Sequence, residues 1–353
     1  MSRTDTLGNL RVMDKWRTAI GLEYESEKHA TRTRTLKGET LARKTNKIAR
    51  GRISGLPKEL SLAALGLMEF SMFSGAAIVL DGFFEAGGNL DDTAFGYGNG
   101  LQDRLVGEWI RSRGVREETV VIGKGVHTPL CYPGVIARQL TVSLDRMKAD
   151  CVDIYFMHRD NPDIPVGEFV YAMDPEVKAG RIRGPFGGSN WTRERFDEAI
   201  AYAEKTGKTR PSVLSNNFSL AEMVDPVWAG CIASTGKEWM DWLGEKRVTN
   251  FAWSSQARGL FTERAGRGKM ADTELARSWY SEGNFARRDR AIDLGERIGK
   301  DPIQVAIAYV LAQKGHVVLL IGPRSLAELN HSMEAFDIRL TPDDVRWLER
   351  GDK

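Results

Sequence analysis

The chain has 353 residues, and 42% of them are hydrophobic, which is enough to bury the core of one large α/β barrel or of two ordinary domains. Its 50 Lys and Arg residues nearly balance 48 Asp and Glu residues, so the net charge of +2 gives no global reason to expect a nucleic acid or a membrane as partner. The three cysteines form no C-x-x-C pair, and neither an apolar leader nor a run of about 18 uncharged apolar residues occurs, so we expect a cytoplasmic protein without disulfides or membrane spans.

Residues 1–52 are predicted to form a basic extension ahead of the main domain. Leu10, Met13, Trp16 and Ile20 recur at the spacing of an amphipathic helix, which would dock on the main domain or on another subunit of a homo-oligomer. Nine Lys and Arg residues then follow in the second half of the extension, against a single acid. Such a run is typical of a solvated face, and an arm for an acidic partner is the alternative.

From residue 53 to residue 353, short apolar runs alternate with longer amphipathic segments. One of these segments carries Ile136, Leu140, Leu144 and Met147 at helical spacing. Eight strand-like runs separated by helices predict βα units and, at that number, a closed (β/α)8 TIM barrel that forms one α/β domain. The runs span residues 62–67, 86–94, 119–125, 151–158, 182–190, 212–217, 248–255 and 316–322.

A doubly wound sheet is the competing architecture. It normally carries G-x-G-x-x-G after its first strand, and the chain contains no such hexad. Gly96, Gly98 and Gly100 have the wrong spacing, and segment 230–237 has five residues between its glycines, which excludes a phosphate-binding P-loop. We therefore expect the glycines after the second run to turn the chain.

Polar residues follow the predicted strands at the carboxyl end of the barrel, where the loops of such a fold converge. Asp92 and Tyr97 follow the second run, Lys124 ends the third and His158 ends the fourth. Each residue alone has a structural explanation, such as a helix cap for Asp92 or core packing for His158. Together they bring a carboxylate, a phenol, an ammonium and an imidazole to consecutive positions of the barrel mouth, which favours a catalytic site.

These four groups predict a reaction at a carbonyl. A buried ammonium at Lys124 would lower the pKa of Tyr97 from its ordinary value of about 10, and Asp92 would keep the lysine charged. Tyr97 would then protonate an alkoxide near neutral pH, and His158 would orient the substrate oxygen. The chemistry served is reduction of a carbonyl, with a proton from tyrosine and a hydride from a cofactor.

Five stretches in chain order carry a resemblance to a known family. They are GGNLDDTAFGYGNG, VVIGKG, DCVDIYFMHRDNP, KAGRIRGPFGGSNW and IGPRSLAELNHSMEAFDIRLT. From about residue 53 to its end, the sequence resembles the aldo-keto reductases, (β/α)8 barrels that use NADPH or NADH without a Rossmann fold. The resemblance implies an NAD(P)H-dependent oxidoreductase in which Asp92, Tyr97, Lys124 and His158 are catalytic.

The resemblance also implies the residues that bind the cofactor. Ser189 and Asn190 would hold the nicotinamide amide, and Trp253, beside Ser254, would stack on the nicotinamide. Core packing is the alternative role for Trp253. Further implied cofactor contacts are Gly66, Leu67 and Met68 after the first strand, and Gly322, Arg324 and Ser325 near the adenosine phosphate.

Three positions depart from the pattern of the family. Ser215 stands where the family often has Gln, so Asn216 or Asn217 would replace the amide contact to the nicotinamide. Glu328 and Ser332 stand in the C-terminal segment where Gln or Arg, and then Asn, are usual. An acid at position 328 disfavours a 2′-phosphate, whereas the arginine four residues earlier favours one. NADP(H) and NAD(H) therefore both stay open as cofactors.

Other residues near the barrel mouth concern the substrate. His127 and Trp191 are candidate substrate contacts, while Arg159, Asp160 and Asn161 indicate either a polar, sugar-like carbonyl or a structural loop network. His127 and a nearby cysteine do not predict a metal site, because two isolated ligands are too few. The alternative to an enzyme is a dinucleotide-binding barrel that acts as a regulatory or assembly subunit through its N-terminal extension.

Overall fold

The computed structural model describes residues 3–24, 27–313 and 316–352, so residues 1, 2, 25 and 26 of the predicted extension lie outside the described residues. The strands in chain order are β1 (Arg50–Gly51), β2 (Leu60–Ser61), β3 (Ala63–Gly66), β4 (Leu90–Asp92), β5 (Val120–Gly125), β6 (Ile154–Met157), β7 (Phe186–Ser189), β8 (Val213–Ser215), β9 (Thr249–Ala252) and β10 (Val317–Ile321). The helices are α1 (Arg3–Ala19), α2 (His29–Thr33), α3 (Phe73–Glu85), α4 (Leu101–Arg113), α5 (Ile136–Met147), α6 (Val166–Lys178), α7 (Arg193–Thr206), α8 (Lys237–Lys246), α9 (Thr273–Trp279), α10 (Glu282–Ile298), α11 (Pro302–Leu311), α12 (Leu326–Met333) and α13 (Pro342–Arg350).

Eight parallel strands form a closed barrel in the order β10-β3-β4-β5-β6-β7-β8-β9. Each of the eight predicted runs contains one of these strands, and helices alternate with them, so the predicted (β/α)8 barrel is confirmed. The interior of the barrel is an apolar cluster built from most of its strands. Its members include Ala64, Leu90, Val120, Ile122, Ile154, Phe156, Val213, Phe251 and Val318.

The pleat of the strands decides which side chains enter the barrel. Successive side chains of a strand point to opposite faces, so residues two apart share a face. Leu90 lies in the apolar interior, and Asp92 follows it on the same face of β4. Ile122 is likewise followed by Lys124 in β5, and β6 repeats the pattern up to His158. Asp92, Lys124 and His158 therefore lie at the carboxyl end of the barrel, directly above its apolar interior.

A short antiparallel hairpin, which the sequence analysis did not predict, covers the other end of the barrel. Its strands β1 and β2 pair Arg50 with Ser61 and Gly51 with Leu60. Leu60 is fully buried in the same apolar cluster as Leu90, the first residue of β4. The hairpin therefore closes the amino-terminal end of the barrel. Strands of two residues are too short to show an alternating pattern in the sequence.

The helices surround the barrel and pack on it through apolar faces. In α5 the four residues predicted at helical spacing, Ile136, Leu140, Leu144 and Met147, are all buried. Within the described ranges, no helix combines the length and the apolar character needed to cross a membrane.

The N-terminal extension divides into two parts. The predicted apolar face is exposed: Leu10, Met13 and Trp16 lie in α1, Ile20 directly follows it, and Trp16 is 75% accessible to solvent. No described part of the chain covers this face.

The second part of the extension packs on the outside of the barrel. The carbonyl oxygen of Thr31 accepts a hydrogen bond from Arg113 Nη2 at 2.6 Å, and Leu41 and Ile48 are buried. Several of its basic residues form ion pairs within the chain: Lys44 with Glu39 and Glu85, Lys47 with Asp337, and Arg52 with Glu59. These pairs neutralise part of the predicted basic run. The domain boundary at residue 53 stays a prediction.

Asp91 is a buried acid on the face of β4 opposite to Asp92. Neither of its carboxyl oxygens has a hydrogen-bond partner among the described residues. Burial raises the pKa of Asp91 to about 8, with Arg116 opposing this rise and Asp153 adding to it. Arg116 is already committed to Asp153, with Nη1 at 2.9 Å from Oδ2. Asp91 is therefore held as a neutral acid at neutral pH.

We expect Asp91→Asn to stabilise the protein more at pH 8.5 than at pH 5. An unfolded aspartate releases its proton near pH 4, whereas Asp91 in the folded protein keeps its proton up to about pH 8. The folded state is therefore favoured fully below pH 4 and loses stability as the pH rises towards 8, by up to about 5 kcal/mol for a shift of this size. Thermal unfolding of both proteins across this pH range measures the difference.

Asp153→Asn is the matched control for this prediction. Asp153 Oδ2 accepts hydrogen bonds from Arg116 and from the backbone N–H of Val121, so its replacement should destabilise the protein at pH 8.5. A pH-independent effect of Asp91→Asn would contradict the raised pKa.

Candidate active site

One cavity of about 940 Å³ opens at the carboxyl end of the barrel. The four predicted catalytic residues, Asp92, Tyr97, Lys124 and His158, all line it. The cavity extends from them to the loop after β10 and to α12. The predicted cofactor residues on its wall are Gly66, Met68, Ser189, Asn190, Ser215, Trp253, Ser254, Gly322, Arg324, Glu328 and Ser332.

At the bottom of this cavity, the ammonium of Lys124 lies between the carboxyl group of Asp92 and the hydroxyl of Tyr97. Its Nζ donates to Asp92 Oδ2 at 2.6 Å and to the Tyr97 hydroxyl oxygen at 3.1 Å. Both Asp92 and Lys124 are 3% exposed, so water does not compete for these contacts. Neighbouring parallel strands bring the two residues together, because β4 pairs with β5 and both side chains face the interior.

The loop after β4 carries Tyr97 back over the barrel. The backbone N–H of Phe95 donates to the carbonyl oxygen of Lys124 at 2.8 Å, which fastens the loop to β5. Gly98 and Gly100 then adopt positive φ angles of 48° and 86°, a conformation that favours glycine. The glycines therefore turn the chain, as predicted, and present the Tyr97 side chain to the cavity.

Asp92 and Lys124 form a buried ion pair. Burial raises the pKa of the Asp92 carboxyl group, and Lys124 opposes this rise. For Lys124, burial disfavours the ammonium, but the attraction of Asp92 and Tyr97 outweighs burial and raises the pKa of Lys124 above its ordinary value. Lys124 is therefore charged at neutral pH and available as a donor to Tyr97.

The pKa of Tyr97 shifts in the direction opposite to the prediction. Burial disfavours the phenolate and raises the pKa of Tyr97 above its ordinary value, although the Lys124 ammonium pulls it down. The prediction was wrong because it counted the neighbouring cation and left out the desolvation of the phenolate. Tyr97 is therefore protonated at neutral pH. The charge on Lys124 reduces the free energy needed to remove that proton.

His158 stands beside Tyr97 as a neutral imidazole. The two rings meet edge to face with centroids 5.4 Å apart. Burial lowers the pKa of His158 well below its ordinary value, and the charge on Lys124 lowers it further. A neutral imidazole has one N–H to donate and can hydrogen-bond a carbonyl oxygen without transferring a proton to it.

Small polar side chains and one aromatic ring continue the wall next to these four groups. Ser189 Oγ donates to the carbonyl oxygen of Ser215 at 2.9 Å, and Asn190 Nδ2 donates to Ser189 Oγ at 3.1 Å. Asn190 has a positive φ of 60°, which turns its amide towards the cavity wall at the end of β7. Trp253 follows β9 and is half-buried at this wall. The wall beside the four groups thus combines small polar side chains with one large aromatic ring.

Other predicted contacts lie away from the cavity wall. Asn216 donates through Nδ2 to the carbonyl oxygen of Trp191, and Asn217 donates to that of Trp253, and neither residue lines the cavity. Leu67 is fully buried in the outer core, and Trp191 is fully buried between helices. All four residues follow the last residue of a strand, and their position in the sequence alone did not show that they lie outside the cavity wall.

The far end of the cavity carries alternating charges. Arg324 Nη2 lies 3.0 Å from Glu69 Oε2, and the backbone N–H of Arg324 donates to Glu328 Oε2 at 2.8 Å. Ser325 lies outside the wall, because its side chain caps α12 by accepting from the backbone N–H of Glu328. A Cβ atom at Gly322 would meet nothing within 4 Å, so the wall is open there.

The residues after His158 have different roles. Asp160 Oδ1 accepts from Arg195 Nε at 3.1 Å, and Asn161 Nδ2 donates to a backbone carbonyl at 3.1 Å, so both hold the loop. Arg159 lines the cavity. His127 lies outside the wall and is exposed, with its ring centroid 5.1 Å from that of His158.

The residues on one side of the cavity were not predicted from the sequence. Trp228 and Cys231 line it, as do Glu69 and a long loop after β9. The loop residues on the wall include Gln256, Arg258, Thr262, Arg264 and Asp272, and Glu274 in the first turn of α9 lies beside them. A signal was available in the length of this loop, since long connections at the carboxyl end of a barrel strand are often functional.

Metal-ligating side chains do not cluster in this site. No group of three or more His, Cys, Asp or Glu residues suited to a metal occurs in the described part of the chain. Burial raises the pKa of the Cys131 thiol to about 11, so it is a neutral thiol. All three cysteines are free.

Comparison with known proteins identifies the family of the main domain. The model of the Aldo/keto reductase family matches residues 64–352. The uncharacterized oxidoreductase YrpG of Bacillus subtilis is 26% identical over 82% of this chain and 91% of its own length. The aryl-alcohol dehydrogenase [NADP(+)] of Phanerodontia chrysosporium is 25% identical over 76% of this chain and 74% of its own length.

Solved structures show the same fold. A thermostable aldo-keto reductase, Tm1743, in complex with the inhibitor epalrestat has a TM-score of 0.65 at 22% identity, covering 86% of this chain and 99% of its own. An aldo/keto reductase from Klebsiella pneumoniae in complex with NADP and acetate has a TM-score of 0.64 at 21% identity, covering 88% and 95%.

We expect Asp92→Ala to destabilise the protein by about 3 kcal/mol, because it leaves the buried Lys124 ammonium without its carboxylate. Adding Lys124→Met should recover a large part of this loss, since the second change removes the uncompensated charge. Urea unfolding of both single variants and of the double variant measures the coupling. Strictly additive effects of the two changes would show that the pair is not coupled in the folded protein.

Proposed function

Because the chain belongs to the aldo/keto reductase family of oxidoreductases, we propose that it reduces an aldehyde or ketone with NADPH or NADH, with Tyr97 as the general acid. The observation that carries this proposal is the position of one buried ammonium. Lys124 Nζ lies 2.6 Å from Asp92 and 3.1 Å from the Tyr97 hydroxyl, on the floor of a large cavity and close to His158.

The residues on the wall fit a nicotinamide dinucleotide. Ser189, Asn190 and Trp253 would hold the nicotinamide beside Tyr97, and Arg324 would lie at the phosphate end. A cavity of about 940 Å³ is large enough for most of such a ligand. When bound, the cofactor supplies the hydride that reduces the carbonyl carbon.

Each residue of the site has one task in the proposed reaction. Tyr97 donates its proton to the substrate oxygen as negative charge develops there. Lys124, held by Asp92, stabilises the phenolate that this step leaves behind, and so offsets the desolvation that makes Tyr97 a weak acid. Neutral His158 donates a hydrogen bond to the same oxygen and fixes its direction. In the oxidation direction the same groups act in reverse, with the Tyr97 phenolate as base.

The names of several relatives indicate an aromatic alcohol or aldehyde as a candidate substrate for this chain. Two yeast relatives are named as aryl-alcohol dehydrogenases, in addition to the one from Phanerodontia chrysosporium. An aromatic aldehyde suits this chain as well, because Trp228 and Trp253 line the cavity with their rings 5.9 Å apart. The predicted sugar-like carbonyl has less support, since Asp160 and Asn161 serve the loop.

The subunit alternative is less well supported. A barrel that only bound the dinucleotide would not need Lys124 hydrogen-bonded to Asp92 and Tyr97 with His158 against the tyrosine ring. Assembly of a homo-oligomer through the exposed face of α1 remains part of the proposal, as does a cytoplasmic location, which suits three free cysteines.

Tyr97→Phe is expected to lower turnover at least about a hundredfold while leaving cofactor binding intact, because it removes only the proton that is transferred. The assay follows oxidation of NADPH and NADH in the near ultraviolet with a panel of aldehydes and ketones, alongside cofactor binding by titration. Tyr171→Phe, at a 61% exposed position, serves as the matched control. Full activity in Tyr97→Phe would refute the proposed acid, and binding without turnover in the wild type would favour the subunit alternative.

Glu69→Gln is expected to shift the preference towards NADPH about fivefold, measured as the ratio of the dissociation constants of the two cofactors. The change releases Arg324 from its 3.0 Å ion pair, and the free guanidinium gains a charge-assisted contact to the 2′-phosphate. Glu59→Gln breaks an ion pair with Arg52 outside the cavity and should leave the ratio unchanged. An unchanged ratio in Glu69→Gln would show that Arg324 does not face the 2′-phosphate.

A further inference from the structure

The arginines on the cavity wall differ in how their charge is balanced. Four arginines line the cavity, and three of them pair with a carboxylate that also lines it. These pairs are Arg258 with Glu274 at 2.6 Å, Arg264 with Asp272 at 3.3 Å and Arg324 with Glu69 at 3.0 Å. The fourth, Arg159, has no carboxylate within 4.0 Å among residues 3–24, 27–313 and 316–352. The balance of charge in the wall is therefore incomplete at Arg159.

The polar neighbours of Arg159 are weak acceptors. Its Nη1 lies 3.1 Å from Cys231 Sγ, and its Nε lies 3.5 Å from His127 Nε2. A thiol is a poor hydrogen-bond acceptor, and a contact of 3.5 Å to an imidazole is at the limit of a hydrogen bond. Since a guanidinium carries five N–H donors in a planar fork, most of the hydrogen-bonding capacity of Arg159 is unused.

Arg195 shows what a structural arginine looks like in the same region. Its Nε donates to Asp160 Oδ1 at 3.1 Å, and its Nη2 donates to the carbonyl oxygens of Asn161 and Ile164 at 3.0 and 2.7 Å. This guanidinium holds the loop and has an acid beside it. Arg159 has neither feature, so holding the loop does not account for its place on the wall.

Arg159 is close to the reacting groups. It directly follows His158, whose ring meets that of Tyr97 at 5.4 Å. The positive charge on Arg159 adds to the lowering of the pKa of His158 and opposes the rise in the pKa of Tyr97, as expected of a cation near both side chains. A ligand group bound to Arg159 would therefore belong to the same small molecule whose oxygen meets Tyr97.

Large apolar side chains also line this cavity. Trp228 and Met68 line the cavity and are each 40% exposed, and the ring of Trp228 lies 5.9 Å from that of Trp253. Rings arranged in this way suit a planar, apolar body. An apolar body with an anionic end would satisfy both the tryptophans and the unpaired guanidinium.

We propose that Arg159 binds the carboxylate of the substrate, and that this enzyme acts on aldehydes or ketones that also carry a carboxylate. The inference rests on the proposed function and specifies its substrate class. In the reaction the carbonyl carbon gains a hydride from the reduced nicotinamide and the carbonyl oxygen gains a proton from Tyr97, so the carbonyl becomes an alcohol. The carboxylate keeps its charge and does not react.

The test compares two aromatic aldehydes that differ only in a para carboxylate. In the wild type, kcat/KM for 4-carboxybenzaldehyde should exceed that for benzaldehyde. Arg159→Gln should lower kcat/KM for 4-carboxybenzaldehyde by about tenfold to a hundredfold, the loss expected for charge-assisted hydrogen bonds, and mainly through KM. With benzaldehyde the change should stay below about threefold, because no carboxylate is present to lose a contact. Arg159→Lys should recover part of the loss because it restores the charge without the fork.

Arg264→Gln is the matched control, since it removes an arginine of the same cavity that already has an acid partner. It should leave the ratio between the two substrates unchanged. Equal losses with both substrates in Arg159→Gln, or a wild type without preference for the carboxylate, would overturn the inference while leaving the proposed function in place.

Failure of the proposed function would look different. If the wild type oxidised neither NADPH nor NADH with any substrate, binding of 4-(hydroxymethyl)benzoate and of benzyl alcohol to the protein with NADP+ would test Arg159 by calorimetry. Tighter binding of the carboxylate in the wild type, lost in Arg159→Gln, would support the site. Equal binding of both alcohols would refute it.

Discussion

The structure depends on one buried contact, the ammonium of Lys124 between the Asp92 carboxylate and the Tyr97 hydroxyl. A charge can stay in the interior only when a partner compensates for the water it has lost, and Asp92 is that partner. Two adjacent parallel strands supply the pair, and a loop fastened to the second strand returns Tyr97 to it. The barrel is thus a rigid frame that holds three side chains on neighbouring elements within hydrogen-bonding distance.

Charge compensation also organises the rest of the cavity. Most of its cations have an acid nearby: Arg258, Arg264 and Arg324 each pair with a carboxylate of the wall. Such pairs define the shape of the wall and contribute little net charge to a ligand. Arg159 departs from this rule beside Tyr97 and His158, and from this departure we infer that it binds a ligand group. The same comparison separates Asp92 from its neighbour Asp91, a neutral acid whose oxygens have no hydrogen-bond partner in the described part of the chain.

Much of the fold and the centre of the site could be predicted from the sequence, whereas several details could not. The eight strands and the four catalytic candidates follow from apolar runs that end in polar residues, which is a local pattern. Asn216 and Asn217 were predicted as cofactor contacts from their position near Ser215, yet they bond to backbone carbonyls of other loops. The hairpin below the barrel has strands too short to show a period, and the wall after β9 lies in a long loop without one.

The sequence by itself determined the order of the elements, the interior face of each strand and hence the chemical groups at the mouth of the barrel. These properties depend on residues two apart in one strand, and a period of two is visible in the letters. Tertiary structure decided the properties that depend on distances across the fold. These are the raised pKa of Tyr97, the lack of a carboxylate partner for Arg159 among the described residues, and the packing of residues 31–48 on the barrel. Desolvation and charge pairing depend on every neighbour in space, and neighbours from distant parts of the chain become known only when it is folded.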